Sequence, residues 1–223
     1  MNLVLQEPGH VNPLLRFSRS TDVFYYTDIT DPLAQPLFED LGYEYSQRYG
    51  GDHSLHPDSA EMRRYPPILF RPPLGGFVLL LRDGVAISGG AFMPIDDRTA
   101  ELKRIWTRAE YRRQGLSSRV LAEIEAEIAR RGYTRIFLTT GTRQPEARNL
   151  YLKAGYTPLF DVDAPAESLD LWPFEKIVVP VKPYGSCRTG VRERITEWKQ
   201  QRAVRRAWML RQPISRRLDD FAA

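Results

Sequence analysis

The sequence predicts a mixed α/β fold, with one mixed sheet carrying helices on both faces. Three observations predict it. Segments of strand character alternate with segments of helical period. A hairpin signal, Asp83-Gly84, joins two apolar runs and so places antiparallel strands in the sheet. The helical segments each carry an apolar stripe, which has to be buried against a sheet face.

The first strand is Asp22–Asp28, rich in aromatic and β-branched residues. Asp31-Pro32 then supplies an N-cap followed by proline at the first helical position. Leu33, Leu37, Leu41 and Tyr45 recur every four residues, which predicts a helix to Arg48, stopped before Gly50-Gly51. Residues 52–74 are rich in proline and polar groups and read as a long loop, with one helical turn near Ser59–Arg63. Phe77–Arg82 and Val85–Met93 form the hairpin, and Ala100–Thr107 is the next strand. A helix from Leu116 to Arg131 places Leu116, Val120, Leu121, Ile124 and Ile128 on one face, and Gly132 stops it. Thr134–Thr140 is a strand, and the next helix opens at Pro145 and closes at Gly155. Two further strands flank an acidic loop in residues 156–182, with Phe174–Val181 the clearer one.

The 223 residues suffice for one well-buried domain with an extension. The longest apolar stretch, Phe77–Leu81, is strand-sized, so no membrane span is expected. An early Glu7 and the lack of a basic start argue against a signal peptide. Cys187 is the single cysteine, which excludes an internal disulfide and fits a reducing cytoplasmic location. His10, His53 and His56 lack ligand spacing, so no metal is expected. The net charge of +4 conceals a division along the chain. Residues 186–223 hold ten Arg or Lys and four acids, whereas the preceding 185 residues carry a net −2. The basic character therefore belongs to the tail.

The turn Arg112-Arg113-Gln114-Gly115-Leu116-Ser117-Ser118 leads into a helix. A helix N-terminus offers about four unpaired N–H groups and roughly half a positive charge. Gly115, small serines and two arginines there make an anion site for a phosphate. The lysine-serine pair of a nucleotide P-loop is missing, as is the G-x-G-x-x-G of a dinucleotide site. Taken alone, the turn reads more readily as an ordinary basic helix start.

From Ala100 to Leu159 the chain resembles the GNAT superfamily of acetyl-CoA-dependent N-acetyltransferases. The family's pyrophosphate signature, Gln/Arg-x-x-Gly-x-Gly/Ala, falls on Arg112–Ser117, and its later tyrosine motif ends in Leu150-Tyr151-Leu-Lys-Ala-Gly155-Tyr156. The resemblance covers residues 75–182 well, 22–74 loosely, and the tail not at all. Ser117 replaces the last small Gly/Ala, and Gln144 stands where many members have Asn. The resemblance implies a splayed, mostly antiparallel sheet in a domain of residues 1–183, with a basic helical extension at 184–223. It implies acetyl-CoA as acyl donor, with Arg112, Arg113, Gln114, Gly115, Leu116, Ser117, Ser118 and Gln144 at the cofactor. Backbone groups of Ile105, Trp106 and Thr107 would hold the pantetheine arm and thioester carbonyl.

Acyl transfer to an amine needs a proton acceptor, because an alkyl ammonium with a pKa near ~10 is mostly charged at neutral pH. Glu101, on the strand leading into the turn, is the candidate base; a plain ion pair with Lys103 or Arg135 is the alternative. Tyr151 matches the family's general acid at the leaving sulfur, with apolar packing as its alternative. The acceptor is expected to be a primary amine. Acids at Glu39, Asp40, Glu44, Asp161, Asp163, Glu167 and Asp170 would suit a small cationic one, such as a diamine or polyamine. Protein lysines, N-termini and aminoglycoside-like compounds stay open, as does a CoA-binding regulatory module without turnover. The tail, helical from Thr189 to Gln212, shows no single membrane-binding face. Contacts with its own domain or with a second subunit fit it better than nucleic acid does.

Overall fold

The computed structural model describes residues 22–50 and 65–180. Its main elements are β1 (Asp22–Thr27), α1 (Gln35–Tyr49), β2 (Gly76–Arg82), β3 (Val85–Pro94), β4 (Thr99–Thr107), α2 (Leu116–Arg130), β5 (Arg135–Gly141), α3 (Pro145–Lys153), β6 (Thr157–Pro158) and β7 (Leu171–Ile177). The strands form one sheet in the order β1-β2-β3-β4-β5-β7-β6. Every pairing is antiparallel except β4 with β5. The tail, the turn expected near Ser59–Arg63, the three histidines and Cys187 lie outside the described residues.

Local chemistry accounts for the boundaries. The Asp31 carboxylate accepts from the Leu33 N–H at 2.8 Å, and a short 3-10 turn over Pro32–Ala34 feeds α1. Asp83 and Gly84 both take left-handed backbone angles (φ 52° and 80°), the geometry of a tight turn whose twist matches paired strands. Side chains of the central strands alternate between two cores. Val78, Leu80, Ala100, Leu102, Ile136 and Leu138 pack with the apolar face of α2. Phe77, Leu79, Ala91, Met93 and Trp106 pack with Leu37 and Leu41 of α1. The unbroken apolar run Phe77–Leu80 thus reflects a strand buried on both sides.

The last strand departs from the expectation. It runs over Leu171–Ile177 rather than Phe174–Val181, and its partner β6 has two residues only. Trp172 and Phe174 are the inward-facing residues, whereas Ile177 and Val179 are 71% and 84% exposed. The Pro173 carbonyl accepts from the Leu159 N–H at 2.9 Å, so proline takes part in the sheet through its acceptor. The β-branched run at 177–179 suggested a strand, but the aromatic pair just before it is what the core selects.

The edge strand is fastened by charge. The Asp22 carboxylate takes the Arg82 guanidinium at 2.7 and 3.1 Å and also pairs with Arg119 of α2. The hydrogen bond from Arg82, helped by Arg119, holds its pKa down at about 2. A carboxyl depressed in the folded state stabilises above its unfolded pKa of ~3.9 and ceases to do so as the pH falls through the folded value. Asp22→Asn should therefore cost about 1 kcal/mol at pH 7, or ~3 °C in Tm, and the gap to wild type should narrow between pH 4 and 2. Thermal melts across that range check it; a gap that does not change with pH would contradict the assignment.

Candidate active site

β4 and β5 are parallel neighbours over three residues only, Thr99–Glu101 against Arg135–Phe137. Beyond Glu101 the two part, while β3 keeps pairing with the other edge of β4 as far as Thr107. Among the described residues, the edge of Leu102–Thr107 facing β5 thus has no strand partner. A bulge on β4 accompanies the parting. Gly89 lies opposite Trp106 and Ala91 opposite Lys103, so β4 holds one extra residue. Arg104 sits in this stretch with φ 59°. The extra residue puts Lys103 and Arg104 on one side of the sheet and returns Trp106 to the α1 core. The buried Arg104 guanidinium lies over the Phe70 ring at 4.7 Å and near the Phe38 ring at 5.5 Å.

The turn after β4 has the expected backbone. Arg113 (φ 62°) and Gly115 (φ 75°) are both left-handed, and Gly115 is the N-cap of α2, which has no side-chain cap. Such a run of N–H groups forms an anion-binding concavity. An added Cβ at Gly115 would meet nothing within 4 Å, so the backbone angle rather than crowding calls for glycine. A hydroxyl chain fixes the turn to the sheet. Ser88, Thr107 and Ser117 are linked at 2.8 Å each, and Ser88 Oγ donates to the Trp106 carbonyl at 2.6 Å.

Arg112 differs from a freely extended phosphate ligand. Its Nε donates to the Thr107 carbonyl and its Nη2 meets Glu44 of α1, both at 3.1 Å. Gln114 accepts from Arg82 at 3.1 Å, while Arg113, Gly115 and Ser118 are exposed and Leu116 is buried. Gln144, just before α3, accepts from the Thr140 hydroxyl at 2.7 Å through its amide oxygen. Ile105 packs on the α2 side of the sheet.

Glu101 is buried where the strands part and pairs with Lys103 at 2.8 Å. Of the two partners the sequence offered, Lys103 is the one used; Arg135 pairs with Glu175 at 2.7 Å. Tyr151 is buried, with its ring 5.5 Å from that of Tyr156 and 5.7 Å from that of Phe174. Burial first, and the Tyr45 phenol of α1 second, push its pKa up, so the hydroxyl keeps its proton at neutral pH.

The acidic rim is smaller than the sequence suggested, because the three acids of α1 are engaged. Glu39 accepts from Gln35 at 2.7 Å, Asp40 from the Trp106 indole at 2.9 Å, and Glu44 pairs with Arg48 at 2.6 Å. Glu167 and Asp170 instead line a cleft of about 440 Å³ with Tyr49, Thr142, Arg143, Ala166 and Leu169. Tyr49 reaches β5 so closely that a Cβ on Gly141 would lie 1.9 Å from its hydroxyl. The parts missed in the sequence are Ser88, Arg104, Tyr49 and the Trp106–Asp40 bond. One signal for Arg104 was present: the polar-apolar alternation of β4 breaks at Lys103-Arg104.

The chain is similar to known proteins. The family model described as "Acetyltransferase (GNAT) family" matches residues 31–156. An uncharacterized N-acetyltransferase of Bacillus subtilis (strain 168), YsnE, is 33% identical over 106 residues. That match spans 46% of this chain and 65% of the relative's length. A PaiA N-acetyltransferase from Thermoplasma acidophilum, solved in complex with coenzyme A, superposes with a TM-score of 0.54 at 19% identity, covering 71% of this chain and 99% of the other. A GNAT family acetyltransferase from Elizabethkingia anophelis with acetyl-CoA bound gives a TM-score of 0.50 at 14% identity, covering 70% and 98%.

Proposed function

This chain belongs to the GNAT acetyltransferase family, and we propose that it moves an acetyl group from acetyl-CoA to a primary amine. The observation that carries the reading is the parting of β4 and β5 beyond Glu101, directly beside the uncapped, left-handed turn at Arg113 and Gly115. Coenzyme A has the two parts that such a site accommodates: an anionic pyrophosphate and an arm carrying amides. The N–H groups at 113–118 would take the pyrophosphate. The free edge at Ile105–Thr107 would pair with the pantetheine amides much as a strand adds to a sheet. Similarity to proteins solved with coenzyme A and with acetyl-CoA supports the same donor.

In the transfer, the amine nitrogen bonds to the thioester carbonyl carbon and the carbon–sulfur bond breaks. Backbone N–H groups on the unpaired edge would stabilise charge building on the carbonyl oxygen, without reorganising. Glu101 would take the amine's proton, directly or through water. Lys103 holds its carboxylate in place in the meantime. Tyr151, kept protonated by burial, would give its proton to the departing sulfur and regain one from solvent. Replacing Tyr151 by Phe should lower turnover by ~10²-fold with little change in acetyl-CoA affinity. Unaltered single-turnover rates would remove it from the reaction.

For the acceptor, Glu167 and Asp170 in the cleft favour a small cationic amine, such as a diamine or polyamine. The Arg143 guanidinium of the same cleft donates to the Arg48 carbonyl at 2.5 Å and keeps its charge, so two acids face one base there and the lining is acidic by one charge. One observation favours a second reading, a CoA-binding module without turnover: the Glu101–Lys103 pair already occupies the proposed base. An amine panel assayed for release of free CoA separates the two. The transferase reading predicts release with cationic amines. Tight acetyl-CoA binding with no release from any amine, protein N-terminus or aminoglycoside-like compound would select the silent module.

A further inference from the structure

α1 carries a set of charges that the acetyl-transfer scheme does not use. The Glu44 carboxylate is shared between two arginines, with Oε1 on Arg48 at 2.6 Å and Oε2 on Arg112 at 3.1 Å. Arg48 also pairs with Glu146 in the first turn of α3. Its Nη1 donates to the Arg143 carbonyl at 2.6 Å, and Arg143 donates back to the Arg48 carbonyl at 2.5 Å. Alternating charges thus run Arg112–Glu44–Arg48–Glu146, from the turn before α2 to the start of α3. Those are the two ends between which β4 and β5 have separated.

The strengths of these contacts decide what they can do. Arg112 and Glu146 are 46% and 59% exposed at their side chains, and pairs of that kind contribute about 0–1 kcal/mol. Such a strap is too weak to hold the strands apart or together. It is weak enough to be exchanged, because a phosphate offers the same guanidinium a stronger, two-pronged partner. A carboxylate resting on the arginine of an anion site stands in for the anion.

We propose that Glu44 is a positioning residue that holds Arg112 until the donor binds and then yields it to the pyrophosphate. The inference rests on the reading that the turn takes the phosphates of coenzyme A. When Arg112 leaves, Glu44 keeps only Arg48, and the C-terminal half of α1 loses its tie to the turn. That half includes Tyr49, which lines the acidic cleft, so donor occupancy is felt where the amine is expected to enter.

Calorimetric titrations of three proteins and one exchange experiment test it. Glu44→Gln should bind CoA about fivefold more tightly than wild type, because no carboxylate competes for Arg112. Glu39→Gln, an equal change of charge on the same helix but bonded to Gln35, should match wild type. Pantetheine, which lacks phosphates, should bind all three alike. In hydrogen–deuterium exchange, CoA should raise exchange of the amides in residues 44–50 of the wild type and leave those of Glu44→Gln unchanged. Equal or weaker CoA binding by Glu44→Gln, or wild-type α1 amides indifferent to bound CoA, would overturn the role of Glu44 alone. Failure of wild type to bind CoA would instead sink the acetyl-CoA reading and this inference with it.

Discussion

The whole arrangement depends on how early the pairing of β4 and β5 ends. Two parallel strands joined by a helix would ordinarily stay hydrogen-bonded along their length, since each lost pair exposes a donor and an acceptor. Here they keep three residues of register and then separate. The bulge at Lys103–Arg104 accompanies that break, giving β4 an extra residue just after the pairing stops. A left-handed arginine in a strand costs about 1–2 kcal/mol of backbone energy. The guanidinium stacked among Phe38 and Phe70 offsets part of it. Backbone groups that the sheet does not satisfy are then available to a ligand able to pair with them.

The rest of the molecule holds that opening in shape. On one side, α2 is anchored through its apolar face and through the hydroxyl chain Ser88–Thr107–Ser117. On the other, α1 is tied by the Trp106–Asp40 bond and by its charges, Glu44 to Arg112 and Arg48 to Glu146. β5 and α3 bring Tyr151 from the far arm, packed on Tyr156 and Phe174. The candidate donor turn, base and acid therefore come from separate elements, positioned by two cores rather than by the site's own contacts.

Most of this fold was legible in the sequence because it rests on patterns that recur within one turn or one strand. The four-residue spacing of Leu33, Leu37 and Leu41, the Asp83-Gly84 turn and the stripe from Leu116 to Ile128 each mark an element directly. The backbone of the turn at 112–117 was legible for the same reason: its glycine and its helix start are adjacent. What the sequence hid depends on distant partners. Nothing local says that Glu44 meets Arg112, that Ser88 meets Thr107, or that Tyr49 presses on Gly141. Among the acids of α1 only the Asp40 bond to Trp106 is hidden in this way; Glu39 with Gln35 and Glu44 with Arg48 are neighbours one helical turn apart, which the spacing itself offers. The final strand was misplaced for a related reason. Its Ile177-Val178-Val179 run has strand composition, yet burial falls on Trp172 and Phe174.

The central claim is that the opening between β4 and β5, with the turn beside it, is the seat of an acyl-CoA donor. Titrating ¹⁵N-labelled protein with CoA and following its backbone amides tests this most directly. The account predicts saturable shifts concentrated in the amides of residues 105–107 and 113–118, with the outer strands β1 and β2 unmoved. Saturable binding that shifts other amides and leaves these two stretches unchanged would contradict it.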